Sequence, residues 1–89
     1  MKKEFFMKEA ISQAKKALKA GEVPIGAIIV LREKVVGRGY NQPIRANDPT
    51  AHAEIMALKA ASRKLKTYRL KEAIIYTTLE PCMMCAGAL

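Results

Sequence analysis

Two cysteines stand three residues apart near the end of the chain, at Cys82 and Cys85. A strand-like run of apolar and β-branched residues precedes them and ends at Pro81, a residue favoured in the first turn of a helix. Side chains three apart on a helix lie on one face, and the helix dipole at the N-terminus favours thiolate over thiol. Because thiolate is the form of cysteine that binds metal, the pair predicts half of a tetrahedral zinc site.

His52 is the only histidine in the chain, which makes it the natural third ligand. Three protein ligands, His52, Cys82 and Cys85, leave a fourth position for water, as in catalytic rather than structural zinc sites. Glu54 follows the histidine by two residues, and a carboxylate beside such a water can accept and return protons. The alternative without metal is a redox dithiol, in which Cys82 and Cys85 oxidise reversibly to a disulfide.

The pattern H-x-E…P-C-x-x-C is typical of zinc-dependent nucleobase deaminases, and here it consists of His52-Ala53-Glu54 and Pro81-Cys82-Met83-Met84-Cys85. Further segments resemble the bacterial tRNA-specific adenosine deaminases, a family of the cytidine/deoxycytidylate deaminase superfamily. These segments are GEVPIGA (21–27), NDPTAHAEI (47–55), YRL (68–70) and TLEPC (78–82). The resemblance extends from about Phe6 to Leu89 and covers only the N-terminal part of that family's domain.

The resemblance implies a zinc-dependent hydrolase that deaminates adenosine to inosine at the wobble position of tRNA. In this interpretation His52, Cys82 and Cys85 hold Zn²⁺, which activates a water molecule. Glu54 is not a ligand. It moves protons from the water to the base and to the departing amine.

The resemblance also implies how the substrate is held, with the base flipped out of the anticodon loop. Asn41 lies at the mouth of the pocket and contacts the base or ribose, and the segment from Val23 to Ile25 and Pro43 lie nearby. The backbone N–H of Ala53, at a helix start, helps to orient water or substrate. The family further implies a homodimer in which the partner helps to build each RNA site.

The zinc pattern alone leaves the base open, because guanine, cytosine and deoxycytidylate deaminases share it. The lead-in Thr78-Leu79-Glu80 and the segment Tyr68-Arg69-Leu70 favour tRNA. A net charge of +8, from 16 basic and 8 acidic residues, also favours a polyanionic partner, although a solvated basic surface has the same composition. The family continues with further strands and helices after Leu89, so a zinc-binding fragment without activity is another alternative.

The composition, 51% hydrophobic, indicates a globular chain rather than a disordered one. No apolar run reaches the length of a membrane span, and charged residues between Lys8 and Lys16 interrupt any signal-peptide core. Two cysteines three apart are a poor disulfide framework, which favours a reducing compartment. We expect a cytoplasmic protein whose residues 1–89 form a single, apparently incomplete, zinc-dependent deaminase domain.

Hydrophobic spacing predicts the order helix, strand, strand, helix, strand, helix. The first helix runs from about Lys3 to Ala20 and ends at a C-cap glycine, Gly21. Its apolar face is predicted to comprise Phe6, Ala10, Ile11, Ala14, Ala17 and Leu18. The later elements are a hairpin of strands 25–31 and 35–40, a helix capped by Asp48 with Pro49 as its first residue and ending near 65 or 66, a strand over 73–79 and a helix opened by Cys82.

The third strand follows a crossover helix, so we expect it to pair parallel to the first strand through a right-handed connection. Both ligand-bearing helices then lie on one face of the sheet with converging N-termini. The resemblance implies the same α/β fold, a three-layer α/β/α cytidine-deaminase-like sandwich, here truncated to a three-stranded part of the sheet with an open edge. Gly37 and Gly39 either permit close approach of another backbone or relieve twist.

Overall fold

The structure is a computed structural model that describes residues 2–79 and 83–89. The predicted elements are present in the predicted order, together with one additional short helix between the second strand and the histidine-bearing helix. The elements are α1 (Lys2–Lys19), β1 (Gly26–Leu31), β2 (Lys34–Tyr40), α2 (Pro43–Ala46), α3 (Ala53–Leu65), β3 (Ile74–Thr77) and α4 (Met83–Ala88). The predictions for residues 80–82 and for the side chains of Met83 and Met84 lie outside the described part of the chain. None of the helices in the described ranges has both the length and the apolar character needed to cross a membrane.

The sheet has the strand order β2-β1-β3. The strands β1 and β2 form the predicted antiparallel hairpin. The strand β3 pairs with β1 as expected, but the predicted parallel direction was wrong, because Ala27 lies opposite Thr77 and Val30 opposite Ile74 in an antiparallel register. The hairpin reverses the chain before α3 carries it across the sheet. The parallel pair joined by a crossover helix is therefore β2 and β3, which flank β1.

The helices α1 and α3 cover opposite faces of this sheet. Successive strand residues point to opposite faces, so Ala27 and Ile29 pack beneath α3 while Ile28 and Val30 pack with Phe6 of α1. The helix α4 packs against α3. The three-layer α/β/α sandwich is thus confirmed, with the histidine-bearing and cysteine-bearing segments on the same side of the sheet.

The first helix ends in the predicted glycine cap. Gly21 has a positive φ of 76°, its N–H donates to Leu18 O, and the N–H of Glu22 donates to Ala17 O. This is the pair of hydrogen bonds of a Schellman motif. The cap fixes the direction in which the chain leaves α1 and places Glu22 against the helix end.

The buried face of α1 differs in part from the prediction. Ile11 and Leu18 are 43% and 63% exposed, while Gln13 is buried. The remaining predicted positions are buried, namely Phe6, Ala10, Ala14 and Ala17. The three alanines allow α1 to approach β1 closely, since a Cβ atom at Gly26 would overlap backbone atoms of Ala10 and Ala14.

The contact between β2 and α3 also consists of small residues. A Cβ atom at Gly39 would overlap Ala53 O and Ala57 N, and one at Gly37 would overlap Ala57 O. Both glycines therefore permit the close approach of a helix backbone, which was the first of their two predicted roles.

This close approach changes which side of α3 is buried. Ala53, Glu54, Ala57 and Ala61 form its buried face. The helical spacing of apolar residues in the sequence predicts a face of larger side chains, comprising Ile55, Met56, Leu58, Ala61 and Leu65. That prediction holds in part, because Ala61 is buried and the half-buried Leu58 and Leu65 pack against the core cluster. Larger side chains do not fit at the closest contact, where the helix backbone meets the strand.

The contact predicts that Gly39→Ala destabilises the protein. The added methyl group would lie 2.8 Å from Met56 Cβ and would overlap the α3 backbone, so we expect the free energy of unfolding to fall by about 2 kcal/mol or more in urea denaturation. Gly87→Ala is the matched control, because nothing lies within 4 Å of the Cβ it would add. Equal denaturation midpoints for Gly39→Ala and the parent would contradict the close contact.

Candidate active site

The histidine lies at the very start of α3. His52 is the N-cap residue, with an extended backbone (φ −76°, ψ 154°) and no capping hydrogen bond from its side chain. The predicted start of this helix at Asp48 and Pro49 was therefore too early. The Asp48 carboxylate instead accepts hydrogen bonds of 2.8 Å from both the N–H and the hydroxyl of Thr50. Local bonds of this kind compete with helix formation.

The structure brings His52 together with the second cysteine of the motif. His52 Nδ1 lies 3.6 Å from Cys85 Sγ, and Cys85 is fully buried in α4. Two donors on a tetrahedral zinc ion, with Zn–S of about 2.3 Å and Zn–N of about 2.0 Å, are about 3.5 Å apart. The pair therefore fits a shared zinc ion, and the same distance also suits a hydrogen bond between the two groups.

The third predicted ligand, Cys82, lies outside the described residues. Within residues 2–79 and 83–89, no three His, Cys, Asp or Glu side chains are grouped as a metal site. The described donors of the predicted site are thus His52 and Cys85, and they have the chemistry that zinc prefers, one imidazole nitrogen and one sulfur.

Glu54 lies in the first turn of α3 and is only 4% exposed. This burial excludes the solvated surface carboxylate that its position in the sequence also allowed. The first N–H groups of a helix have no partners within the helix, and the dipole there stabilises negative charge. A buried carboxylate and a buried thiol are therefore both placed at the electropositive start of α3.

The loop after β2 lies beside the segment that carries the histidine. Asn41 is 7% exposed, and its N–H donates to Ile25 O at 3.0 Å. The next residue, Gln42, donates its N–H to Ala51 O at 2.8 Å, directly before His52. The backbone of Asn41 is therefore held next to the start of α3.

The other predicted substrate residues differ in exposure. Pro43 is half-buried at the first position of α2, and Val23 is 58% exposed. Ala53 is fully buried at the first position of α3, so only its main chain is placed to serve a substrate. The contacts of these residues and of Asn41 with a substrate stay predictions.

Sequence reasoning missed a buried carboxylate, Glu22, which is 5% exposed. Its two oxygens accept hydrogen bonds from the backbone N–H groups of Ile44 at 3.2 Å and Arg45 at 2.7 Å. Hydrophobic spacing carries no signal for such a residue. The one signal in the sequence that could have indicated this residue is its position. Glu22 is an acidic residue between a helix cap and an apolar strand, within the segment 21–27 that carries part of the family resemblance.

Thr78 is a second residue whose role the sequence did not reveal. Its hydroxyl accepts a hydrogen bond from Gly26 N–H at 3.2 Å, and its own N–H donates to Gly26 O at 3.1 Å. These bonds continue the pairing of β1 with β3 beyond the end of the strand. They anchor the chain four residues before Cys82.

The family model of the cytidine and deoxycytidylate deaminase zinc-binding region matches residues 1–89. The chain therefore belongs to this family, as the resemblance implied. Among curated relatives, a tRNA-specific adenosine deaminase of Buchnera aphidicola subsp. Schizaphis graminum is 54% identical over 85 residues. The match covers 96% of this chain and 56% of that protein, so the chain spans little more than half the length of this relative.

Solved structures confirm the fold. One comes from work on A-to-I editing by tRNA:A34 deaminases at the wobble position of transfer RNA, with a TM-score of 0.96 and 44% identity over 99% of this chain and 68% of that one. A guanine deaminase from Bacillus subtilis has a TM-score of 0.90 and 43% identity over 96% of this chain and 55% of that one. The two proteins are named for different bases although both have this fold. The fold alone therefore does not identify which base is the substrate.

The turn before His52 has a testable acid–base property. Hydrogen bonds from the Thr50 backbone N–H and, second, from its hydroxyl lower the pKa of the exposed Asp48 carboxyl. Because this pKa is lower in the folded chain, ionised Asp48 stabilises the fold above about pH 4, and the contribution is lost as the pH falls through the folded pKa. Thr50→Ala removes only the hydroxyl bond, so the pKa of Asp48 should rise part of the way to its ordinary value in an NMR titration.

Thr67→Ala is the matched control for this titration, because Thr67 makes similar local bonds with Arg69 but none with Asp48. It should leave the pKa of Asp48 unchanged. An equal pKa of Asp48 in Thr50→Ala and the parent would show that the hydroxyl bond does not exist in solution.

Proposed function

We propose that this chain is part of a zinc-dependent deaminase that converts adenosine to inosine at the wobble position of tRNA. The observation that carries the proposal is the 3.6 Å approach of His52 Nδ1 to Cys85 Sγ, with the buried Glu54 in the first turn of the helix that His52 caps. The substrate is inferred from the 54% identity to a tRNA-specific adenosine deaminase. Residues 1–89 belong to a single deaminase domain in this proposal, which the extent of the family match supports.

His52, Cys82 and Cys85 are the residues that would hold the zinc. When bound, zinc supplies a Lewis acid that lowers the pKa of water to about 7. The position of His52 and Cys85 beside the start of α3 suits this role. Metal binding needs a neutral imidazole and a thiolate.

Glu54 is the proton carrier of the proposed reaction. It accepts a proton from the attacking water and gives it to the ring nitrogen of the base while the water oxygen bonds to the carbon that bears the amine. A second proton passes through Glu54 from the hydroxyl group, now bonded to that carbon, to the amine. The C–N bond breaks as the C=O bond forms, and ammonia leaves. Because Glu54 is only 4% exposed, bulk water is kept from its carboxylate during these transfers.

The substrate would enter beside the loop after β2. Asn41 contacts the base or ribose at the pocket mouth, and its fixed backbone supports this role. Pro43 and the exposed Val23 line the entrance, and the Ala53 N–H orients water or substrate. The net charge of +8 supports binding to the phosphate backbone of an RNA.

We further propose that the protein acts in the cytoplasm as a homodimer. A relative is named as a tRNA-specific deaminase, which supports the cytoplasmic location. The family resemblance supports the homodimer. An exposed groove runs along the outer side of α3, and its Tyr68 side chain is 89% exposed. The groove is lined by Ile55, Leu58, Lys59, Ser62, Arg63, Tyr68, Leu70, Ala88 and Leu89.

Deamination of a free base is the second candidate function. The specific observation in its favour is the guanine deaminase from Bacillus subtilis, whose 43% identity nearly equals the 44% of the tRNA deaminase structure. Cytosine and deoxycytidylate share the same zinc chemistry. The basic charge of the chain favours RNA over any of these small substrates.

The proposed metal centre predicts about one zinc ion per chain in the purified protein, measured by inductively coupled plasma mass spectrometry. His52→Ala and Cys85→Ser should each lose most of this zinc, because each removes one of three ligands. Asp48→Asn is the matched control and should keep the metal, since its carboxylate is engaged by Thr50. Folded protein without zinc, or zinc retained in both ligand variants, would contradict the site.

The proposed activity predicts inosine in an anticodon stem–loop RNA with adenosine at the wobble position, detected by mass spectrometry. Glu54→Gln should lower kcat by about 100-fold or more while zinc content is unchanged, because only proton transfer is lost. Glu33→Gln is the control, since Glu33 pairs with Lys2 on the exposed surface. Turnover of guanine, cytosine or deoxycytidylate but not of RNA would exclude the tRNA proposal, and zinc without any turnover would support the inactive alternative.

A further inference from the structure

We propose that Glu22 is a positioning residue of the site, which sets the place of the loop that carries Asn41. This inference deepens the proposed function and rests on it, because the loop matters for catalysis only if a substrate binds beside it. Glu22 does not touch the reacting atoms in this proposal. It acts through the backbone of Ile44 and Arg45, to which it is hydrogen-bonded.

The first argument is the burial of the carboxylate. Glu22 is 5% exposed, and removing a carboxylate from water is unfavourable unless hydrogen bonds replace its hydration. Two backbone N–H groups provide this replacement, at 3.2 Å from Ile44 and 2.7 Å from Arg45. Hydrogen bonds to a charged group are among the stronger ones in proteins, so the loop is held to Glu22 firmly.

The second argument is that Glu22 replaces a missing helix cap. The helix α2 begins at Pro43, and its own N-cap residue, Gln42, makes no side-chain capping bond. The N–H groups of Ile44 and Arg45, in the first turn of α2, have no partners within the helix. Glu22 supplies both acceptors from a distant part of the chain, so the short helix depends on a residue more than twenty positions away.

The third argument concerns what the loop connects. Glu22 is itself fixed at the end of α1, where its N–H donates to Ala17 O at 2.9 Å. On the other side of the loop, Gln42 N–H donates to Ala51 O, the residue before His52. Glu22 therefore joins the end of α1 to a loop that lies between Asn41 and the histidine. Loosening this bond should leave α3 in place and move the loop.

This coupling predicts a specific kinetic effect of Glu22→Gln. Glutamine keeps the length of the side chain but has one acceptor oxygen, and its NH₂ group would face an N–H donor. If the loop then adopts its binding position about a tenth of the time, KM for the anticodon RNA rises about tenfold. The kcat should stay within about twofold and the zinc content unchanged, because Glu54 lies in α3, His52 caps α3 and Cys85 lies in α4.

Glu9→Gln is the matched control. Glu9 pairs with Arg38 on the exposed surface, at 3.4 Å, and accepts no backbone N–H of the loop. It should leave KM and kcat at parent values. A lowered kcat at unchanged KM in Glu22→Gln, or unchanged kinetics, would overturn the proposal.

Amide hydrogen exchange tests the same bond without any activity. In Glu22→Gln the amides of Ile44 and Arg45 should exchange about tenfold faster, while that of Ile28 in β1 stays as slow as in the parent. Faster exchange of all three amides would indicate a role in global stability only and would overturn the proposal. If the parent deaminates no RNA, the proposed function fails, yet the exchange result still decides whether Glu22 holds the loop.

Glu22→Asp provides a second variant if Glu22→Gln does not fold. This variant keeps both carboxylate oxygens on a side chain one methylene shorter. It should also raise KM and speed the exchange of the Ile44 and Arg45 amides, but both effects should be smaller than in Glu22→Gln. Parent-like kinetics together with parent-like exchange in Glu22→Asp would also overturn the proposal, because the distances to both donors must lengthen.

Discussion

The close backbone contact between β2 and α3 is the constraint on which the rest of the site depends. Gly37 and Gly39 leave room for the backbone of α3, and Ala57 packs directly against both. A helix packed this closely has little freedom to rotate or slide, because its alanines recur every four positions along the helix and face the two glycines of the strand. The position of its first turn, and with it His52 and Glu54, is therefore set by the sheet.

The chain is strongly basic overall, but two acidic side chains are buried near the candidate site. The net charge is +8, yet two glutamates, Glu22 and Glu54, are among the buried polar residues of the described chain. Each of them lies at the start of a helix, Glu22 against α2 and Glu54 within α3. Two backbone N–H groups offset the loss of hydration at Glu22, and the helix dipole at the start of α3 favours the negative charge of Glu54. Acidic groups can thus be kept at a site whose surroundings attract polyanions.

Family membership explains the fold and the residues of the zinc pattern, but it does not explain which base is the substrate. An adenosine-editing deaminase and a guanine deaminase have nearly equal identity to this chain and the same fold. In the proposed function, His52, Cys85 and Glu54 perform chemistry that every member of the zinc pattern shares. Discrimination between bases must therefore come from the segments around this frame. The loop from Asn41 to Asn47, held by Glu22, is one such segment.

Local patterns determined much of this protein from the sequence alone. The bounds of α1, its glycine cap and the hairpin of β1 and β2 follow from residue spacing and turn chemistry, which act between neighbours in the chain. The pairing of His52 with Cys85 was expected from ligand chemistry and from the family pattern, and the structure brings the two side chains together.

Only the tertiary structure decided features that depend on distant partners. The direction of β3 was mispredicted because the chain reverses in the hairpin before the crossover, so its parallel partner is β2. The start of α3 shifted because Asp48 bonds to Thr50 instead of capping a helix. Glu22 gained its role from N–H groups more than twenty residues away. Hydrophobic periodicity and capping preferences describe short segments of the chain. The direction of β3, the start of α3 and the role of Glu22 each depend on how such segments are arranged relative to one another.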